Sequence, residues 1–117
     1  MATRILLTIT LVLLALGSAS CVTTQASSKS DAELAFDAAK KHYDKKQYEG
    51  AAAAFGKVVA DYPDSPLVEP SLYYQGSALA FHGDTDQALL ILGRVVKNGT
   101  AFNDVAQKRI DRIKAAQ

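Results

Sequence analysis

The chain has 117 residues, which is enough for one domain at most. It carries 13 Lys and Arg against 12 Asp and Glu, and because Arg4 is the only charged residue among the first twenty, the remainder balances at 12 against 12. This neutrality argues against nucleic acid as a partner, since phosphate binding needs an excess of Lys and Arg. The single cysteine, Cys21, excludes an internal disulfide and a metal cluster of several cysteines.

Residues 1–20 have the order of a secretory signal peptide. Arg4 supplies the positive start, residues 5–16 form an apolar run, and residues 17–20 are small and neutral. The run is shorter than the roughly 20 residues that a membrane span needs. Cys21 follows directly and resembles the lipidated cysteine of a lipobox, although Ser18 stands where a leucine is usual. The alternative is ordinary cleavage near Ser20, which would leave a soluble periplasmic protein.

Residues 21–30 are predicted to be the lipidated cysteine and a flexible tether, because residues 22–30 are polar and have no apolar period. Ser30 and Glu33 then have the spacing of a capping box, in which each side chain accepts a hydrogen bond from an otherwise unpaired backbone N–H. Ordered structure is therefore expected from residue 31, and residues 31–117 are predicted to form one helical domain.

Apolar spacing predicts a first helix over residues 31–45 and a second over residues 48–60. The turn between them lacks a glycine for positive φ, so it is either strained by about 1 kcal/mol or takes another form. The inward side of the first helix is predicted to consist of Leu34, Ala35, Ala38, Ala39 and His42. That of the second is predicted to consist of Ala51, Ala52, Phe55, Val58 and Val59.

Three more helices are predicted after the prolines of residues 62–66. Ser65 is placed to cap the third helix, which runs to about residue 81. Gly83 suits the end of that helix, and Asp84 with Gln87 has capping-box spacing for a fourth helix over residues 85–97. Thr100 can cap a fifth. Its inward stripe is predicted to be Phe102, Ala106, Ile110 and Ile113, and its polar stripe Gln107, Lys108, Asp111, Arg112 and Lys114.

The helical segments repeat. A shift of 37 residues places Ala51 on Ala88 and Phe55 on Leu92, and a period in the mid-thirties indicates stacked helical hairpins. The repeat resembles the tetratricopeptide (TPR) pattern. The matching residues are Ala39, Tyr48, Ala51, Phe55 and Pro63 in the first unit and Leu72, Gly76, Gly83, Ala88 and Leu92 in the second. The resemblance implies an all-α solenoid of two TPR repeats plus a C-terminal capping helix.

Together with Cys21 and the extended segment of residues 62–76, these repeats make the chain similar to the TPR lipoproteins of the bacterial envelope. Examples are the BamD-like outer-membrane assembly lipoproteins and the C-terminal TPR domain of the Tol-Pal coordinator CpoB. In TPR arrays the first helix of each pair lines a concave surface. The resemblance therefore implies a partner-binding face made of Phe36, Lys40, Tyr43 and Asp44 in unit one and Tyr73, Tyr74, Ser77, Ala80 and Phe81 in unit two.

Catalytic chemistry has little support in the sequence. His42 is predicted to pack on the first helix and His82 to lie at a helix C-terminus, and no HxxxH, CxxC, GxGxxG or GxSxG pattern occurs. We therefore expect no enzymatic activity, cofactor, metal or small-molecule substrate.

The sequence favours a scaffold that is lipid-anchored at the periplasmic face of the outer membrane and binds a protein of an envelope complex. One alternative is a soluble periplasmic protein that self-associates, and another is an accessory regulator of a cell-wall enzyme. Because two and a half repeats bury little surface, a homodimer or a partner protein is expected to add stability.

Overall fold

The computed structural model describes residues 29–117, which form five helices and no strand. The helices are α1 (Asp31–Asp44), α2 (Tyr48–Asp61), α3 (Val68–His82), α4 (Thr85–Asn98) and α5 (Asn103–Ala115). Each helix packs against the next in the chain, and α3 also touches α1 and α5. The predicted all-α solenoid of two hairpins and a fifth helix is confirmed. The predicted signal peptide, Cys21 and most of the tether lie outside the described residues.

The predicted capping box begins α1. Ser30 Oγ accepts a hydrogen bond from the Glu33 backbone N–H at 3.3 Å, and the Glu33 carboxylate accepts one from the Ser30 N–H at 2.7 Å. The Ser30 backbone and hydroxyl hydrogen bonds lower the pKa of Glu33. Two unpaired N–H groups of the first turn are satisfied in this way.

Both hairpin turns use the same helix-ending motif. After α1, the Gln47 N–H donates to His42 C=O and the Lys46 N–H donates to Tyr43 C=O, each at 2.9 Å. This is a Schellman motif, which needs a left-handed residue at the position that Lys46 occupies with φ 60°. Gly83 occupies the same position after α3, with φ 103°. The turn without glycine is therefore the strained form, since a lysine adopts this conformation at a cost.

Two apolar clusters share α3. The first joins α1, α2 and α3 and contains Ala39, Ala51, Ala52, Phe55 and Ala78. The second joins α3, α4 and α5 and contains Leu72, Ile91, Leu92, Val95, Ala106 and Ile110. Helices α3 and α4 approach each other closely at Gly76, where an added Cβ would lie 2.6 Å from Leu92 Cγ. Glycine at this position lets α3 and α4 pack backbone against side chain.

The predicted inward side of α1 is wrong in part. Leu34 is 54% exposed, and Ala38 and His42 are also exposed, whereas Ala32 and Ala39 are buried. The partly buried rings of α1, Phe36 and Tyr43, pack on the first cluster. With Ala32 and Ala39 they recur every three or four residues and so lie on one side of the helix. Within the described residues α1 contacts only α2 and α3, so only one side of this helix is covered.

The predicted caps of the three later helices are also wrong in detail. Ser65 Oγ accepts from the Leu67 N–H at 3.1 Å within a turn, and α3 begins only at Val68. Thr100 Oγ1 accepts from the Phe102 N–H at 3.3 Å and donates to Glu69, so it joins α3 to the last turn instead of starting α5. Asp84 makes no side-chain cap, because its ψ of 67° differs from the extended ψ of 160° at Ser30.

Candidate functional site

The first helices of the successive hairpins, α1 and α3, lie next to each other, and α5 continues the row on the far side of α3. Side chains at the positions that the TPR pattern assigns to a concave surface contact one another across these three helices, and we call their surface the concave face. Its members are Phe36, Lys40, Tyr43, Tyr73, Tyr74, Phe81, Arg109 and Arg112. The second helices of the hairpins complete the packing, since α2 contacts α1 and α3, and α4 contacts α3 and α5.

Aromatic side chains connect α1, α2 and α3 with the segment that precedes α5. Eight of the nine aromatic residues belong to one chain of ring contacts, which we call the aromatic ladder. Its members are Phe36, Tyr43, Tyr48, Phe55, Tyr73, Tyr74, Phe81 and Phe102. Contacts of this kind stabilise by about 0.5–1.5 kcal/mol per pair beyond the buried area. The ladder therefore fixes the hairpins relative to one another.

Tyr74 is the centre of the ladder. Its ring centroid lies 5.1 Å from that of Tyr43, 5.3 Å from Phe55, 5.4 Å from Tyr73 and 6.0 Å from Phe36. Replacing Tyr74 with alanine would therefore remove four ring contacts as well as any contact with a ligand. A loss of binding in such a variant would not separate the two effects.

Two cations rest on the ladder from opposite sides. Lys40 of α1 lies 5.2 Å above the Tyr74 ring, and its hydrogen bond to Asp44 is the main cause that raises the pKa of its ammonium group. On the other side, the Arg109 guanidinium of α5 lies 5.0 Å above the Phe81 ring. Both distances are within the range of a cation–π interaction. The concave face thus has an aromatic floor and a positive side chain on each wall.

Tyr43 lies between these walls. Burial raises the pKa of the Tyr43 phenol, and the positive charge of Arg109 partly opposes that rise. Tyr43 of α1 and Arg109 of α5 both lie against the Phe81 ring of α3, at 6.3 Å and 5.0 Å from its centroid, so side chains of the three helices meet at Phe81.

A family model described as tetratricopeptide repeat matches residues 31–65 and 71–98, which is more than half of the chain. The chain belongs to the tetratricopeptide repeat family. The first matched segment contains α1 and α2, and the second contains most of α3 and α4. A search of curated proteins returned no match. TPR domains are typically non-catalytic scaffolds for protein–protein interaction.

The TPR pattern placed most of the predicted binding residues on the concave face, but the structure gives them different environments. Phe36, Tyr43, Tyr73 and Tyr74 are partly buried and pack on the two apolar clusters. Phe81 is 51% exposed and is the most accessible ring of the predicted set.

Ser77 does not belong to the accessible surface, although it was predicted to bind a partner. Its side chain is 0% exposed, and its hydroxyl has no hydrogen-bond partner among the described residues. Tyr73, Tyr74 and Phe81 are each about one helical turn from Ser77 along α3. Because Ser77 is fully buried, a partner cannot contact it in this arrangement of the helices.

A cleft of about 260 Å³ lies where the end of α3 and the start of α4 meet α5. Its lining includes Ala80, Phe81, Thr85, Arg109, Arg112 and Ile113. Sequence reasoning missed Arg109 and placed Arg112 on the polar outer stripe. The two arginines are three residues apart and flank the inward stripe of α5, and this spacing is the signal that could have identified them.

The described residues show no group of three or more His, Cys, Asp or Glu side chains that could hold a metal ion. Over the same residues, no helix is long and apolar enough to cross a membrane.

Proposed function

We propose that this TPR protein is a non-catalytic adaptor that holds a segment of a partner protein on its concave face, near the cleft between α3 and α5. The observation that carries the proposal is the environment of Phe81. The other rings of the predicted set are partly buried, whereas Phe81, which stacks on Tyr48, remains about half exposed beside a cleft and under an arginine. Aromatic and arginine side chains are the residues that contribute most to binding in protein interfaces.

Phe81→Ala tests this assignment, and Leu90→Ala is its matched control. Leu90 is 63% exposed on α4, behind the row of helices that forms the concave face. Envelope proteins captured by the full chain should be lost with Phe81→Ala and retained with Leu90→Ala, while circular dichroism shows unchanged helix content in both. Equal capture by all three proteins would remove the concave face as the binding surface.

We further propose that the adaptor is lipid-anchored through Cys21 at the periplasmic face of the outer membrane, where it serves an envelope assembly or maintenance complex. The support is the order of a charged start, an apolar run and small residues before Cys21, together with the similarity to TPR envelope lipoproteins. Acyl chains add about 0.8 kcal/mol of membrane affinity for each buried methylene, so a multiply acylated chain would remain on the bilayer.

Intact mass of the membrane-fraction protein tests the anchor, with Cys21→Ser beside the wild type. A chain that begins at Cys21 and carries acyl groups, with both features lost in the variant, is the expected result. An unmodified chain beginning near Ser20 would instead support a soluble periplasmic protein. Sedimentation at several concentrations would then test self-association, which a constant monomer mass excludes.

A further inference from the structure

The cleft between α3 and α5 has a local excess of positive charge. Arg109 and Arg112 both line it, and neither forms an ion pair with a carboxylate among residues 29–117. Three acidic residues are close to the cleft in sequence, Asp84, Asp86 and Asp111, and none of them is part of its lining. The Asp111 carboxylate accepts a hydrogen bond from the Gln107 side chain at 2.9 Å. Because the whole chain has a net charge of only +1, these two guanidinium groups stand out against a nearly neutral background.

The α1 side of the concave face, opposite α5, differs in its charge. Lys40 of α1 is paired with Asp44, which neutralises that side. Of the three cations that we place on the concave face among residues 29–117, Lys40 is paired, whereas Arg109 and Arg112 at the α5 end are not. This asymmetry favours negative charge at one end of the ligand.

Apolar surface adjoins the two arginines. Phe81, Ala80 and Ile113 line the same cleft, and Val105, which is 41% exposed, lies one turn before Arg109 on α5. The volume of about 260 Å³ is below the roughly 300–1,000 Å³ of typical small-molecule pockets. The cleft is also open to solvent at the protein surface, so its size and setting suit one large side chain of a partner.

We propose that this cleft binds a segment of a partner protein in which a large apolar side chain stands next to one or more Asp or Glu residues. The apolar side chain packs against Phe81 and Ile113, and the carboxylates accept hydrogen bonds from Arg109 and Arg112. Arginine suits this role because its planar group can donate two parallel hydrogen bonds to one carboxylate. The proposal rests on the proposed function, which it narrows to one chemical class of partner.

The test is selection of a random peptide display library on the full chain. Selected peptides are then synthesised with a fluorophore, and their dissociation constants are measured by fluorescence anisotropy. The test variant is Arg109→Gln with Arg112→Gln, and the control is Lys108→Gln with Lys114→Gln, which removes the same charge from exposed positions of the same helix. Glutamine keeps a long side chain and a similar helix propensity.

We expect the selected peptides to contain Asp or Glu beside Leu, Phe or Trp. The double arginine variant should weaken their binding at least about tenfold, as should added salt, while the lysine control leaves it unchanged. Selected peptides without acidic residues, or acidic peptides that bind the arginine variant equally well, would overturn the proposal.

The outcomes also separate this proposal from the proposed function. Acid-free peptides that lose binding with Phe81→Ala would leave the concave face as a binding surface and remove only the acidic preference. Failure to select any peptide would contradict both. Self-association of the full chain that is abolished by the arginine variant would identify a second copy as the occupant and overturn the assignment to a partner protein.

Discussion

Lys46→Gly should stabilise the protein, because Lys46 occupies the left-handed position of a Schellman motif with φ 60°. This conformation costs a non-glycine residue about 1–2 kcal/mol. Glycine removes that cost but adds about 0.5–1 kcal/mol of backbone entropy to the unfolded chain. The Lys46 side chain is exposed and makes no ion pair among the described residues, so little else is lost. The expected net gain in unfolding free energy is about 0.5–1 kcal/mol.

Urea unfolding of the full chain measures this gain, with the loss of helix followed as the negative ellipticity at about 222 nm. The thermal midpoint should rise by about 3–6 °C for a domain of this size. Lys45→Gly is the matched control, because Lys45 has φ −82° and should lose about 0.5–1 kcal/mol. Gly83→Lys should lose about 1–2 kcal/mol at the equivalent turn. A Lys46→Gly variant no more stable than Lys45→Gly would refute the assignment of strain to this turn.

Three further substitutions test the packing, and a fourth tests the dependence of stability on pH. Gly76→Ala should lower the unfolding free energy by about 1 kcal/mol, because the clash with buried Leu92 outweighs the better helix propensity of alanine. Gly93→Ala, which has open space at its Cβ, should raise the unfolding free energy by about 1 kcal/mol in the same urea titration. Phe55→Ala should cost about 3–5 kcal/mol, since Phe55 is 0% exposed, and a thermal midpoint within 5 °C (roughly one kcal/mol) of wild type would contradict this. Burial raises the pKa of Tyr43 above its ordinary value of 10.0, so the unfolded chain loses this proton first. The stability that this protonated phenol contributes is therefore present below about pH 10 and is lost as pH rises through the folded pKa, and Tyr43→Phe should reduce the alkaline decrease in urea midpoint.

The succession of helices could be predicted because the local signals agree with one another. Ser30 and Glu33 begin α1, Gly83 ends α3, and Gly99 ends α4 with φ 66°, all near the predicted positions. These features depend on a few neighbouring residues. The wrongly predicted caps, at Ser65, Asp84 and Thr100, depend on the path of the chain between helices, which apolar periodicity does not determine.

The buried side of α1 could not be read from its small residues alone. Both alanine-rich sides of this helix have helical spacing, and only the neighbours decide which side is covered. The rings at Phe36 and Tyr43 mark the covered side, since they pack against α2 and α3. To predict the buried side of a terminal helix, one therefore has to use the positions of its large residues as well as the spacing of its small ones.

The candidate site could be located on the correct helices, but the role of each residue required the structure. The family pattern specifies which positions face α3 and its neighbours, and it does not distinguish a ring that packs from a ring that remains accessible. Ser77 is fully buried, Tyr74 is partly buried, Phe81 is about half exposed, and Arg109 reaches the site from a helix outside both matched repeats. Such differences arise from contacts between helices that are distant in sequence.

The aromatic ladder also gives the protein a built-in spectroscopic reporter. The chain has no tryptophan, so its near-ultraviolet ellipticity comes mainly from tyrosine and phenylalanine rings, nearly all of which lie in the ladder. Far-ultraviolet ellipticity instead follows the helices themselves. If one hairpin separates from the next before its helices melt, as nearest-neighbour arrays allow, the first signal will fall before the second. Two wavelengths in one titration can therefore distinguish undocking of hairpins from loss of helix.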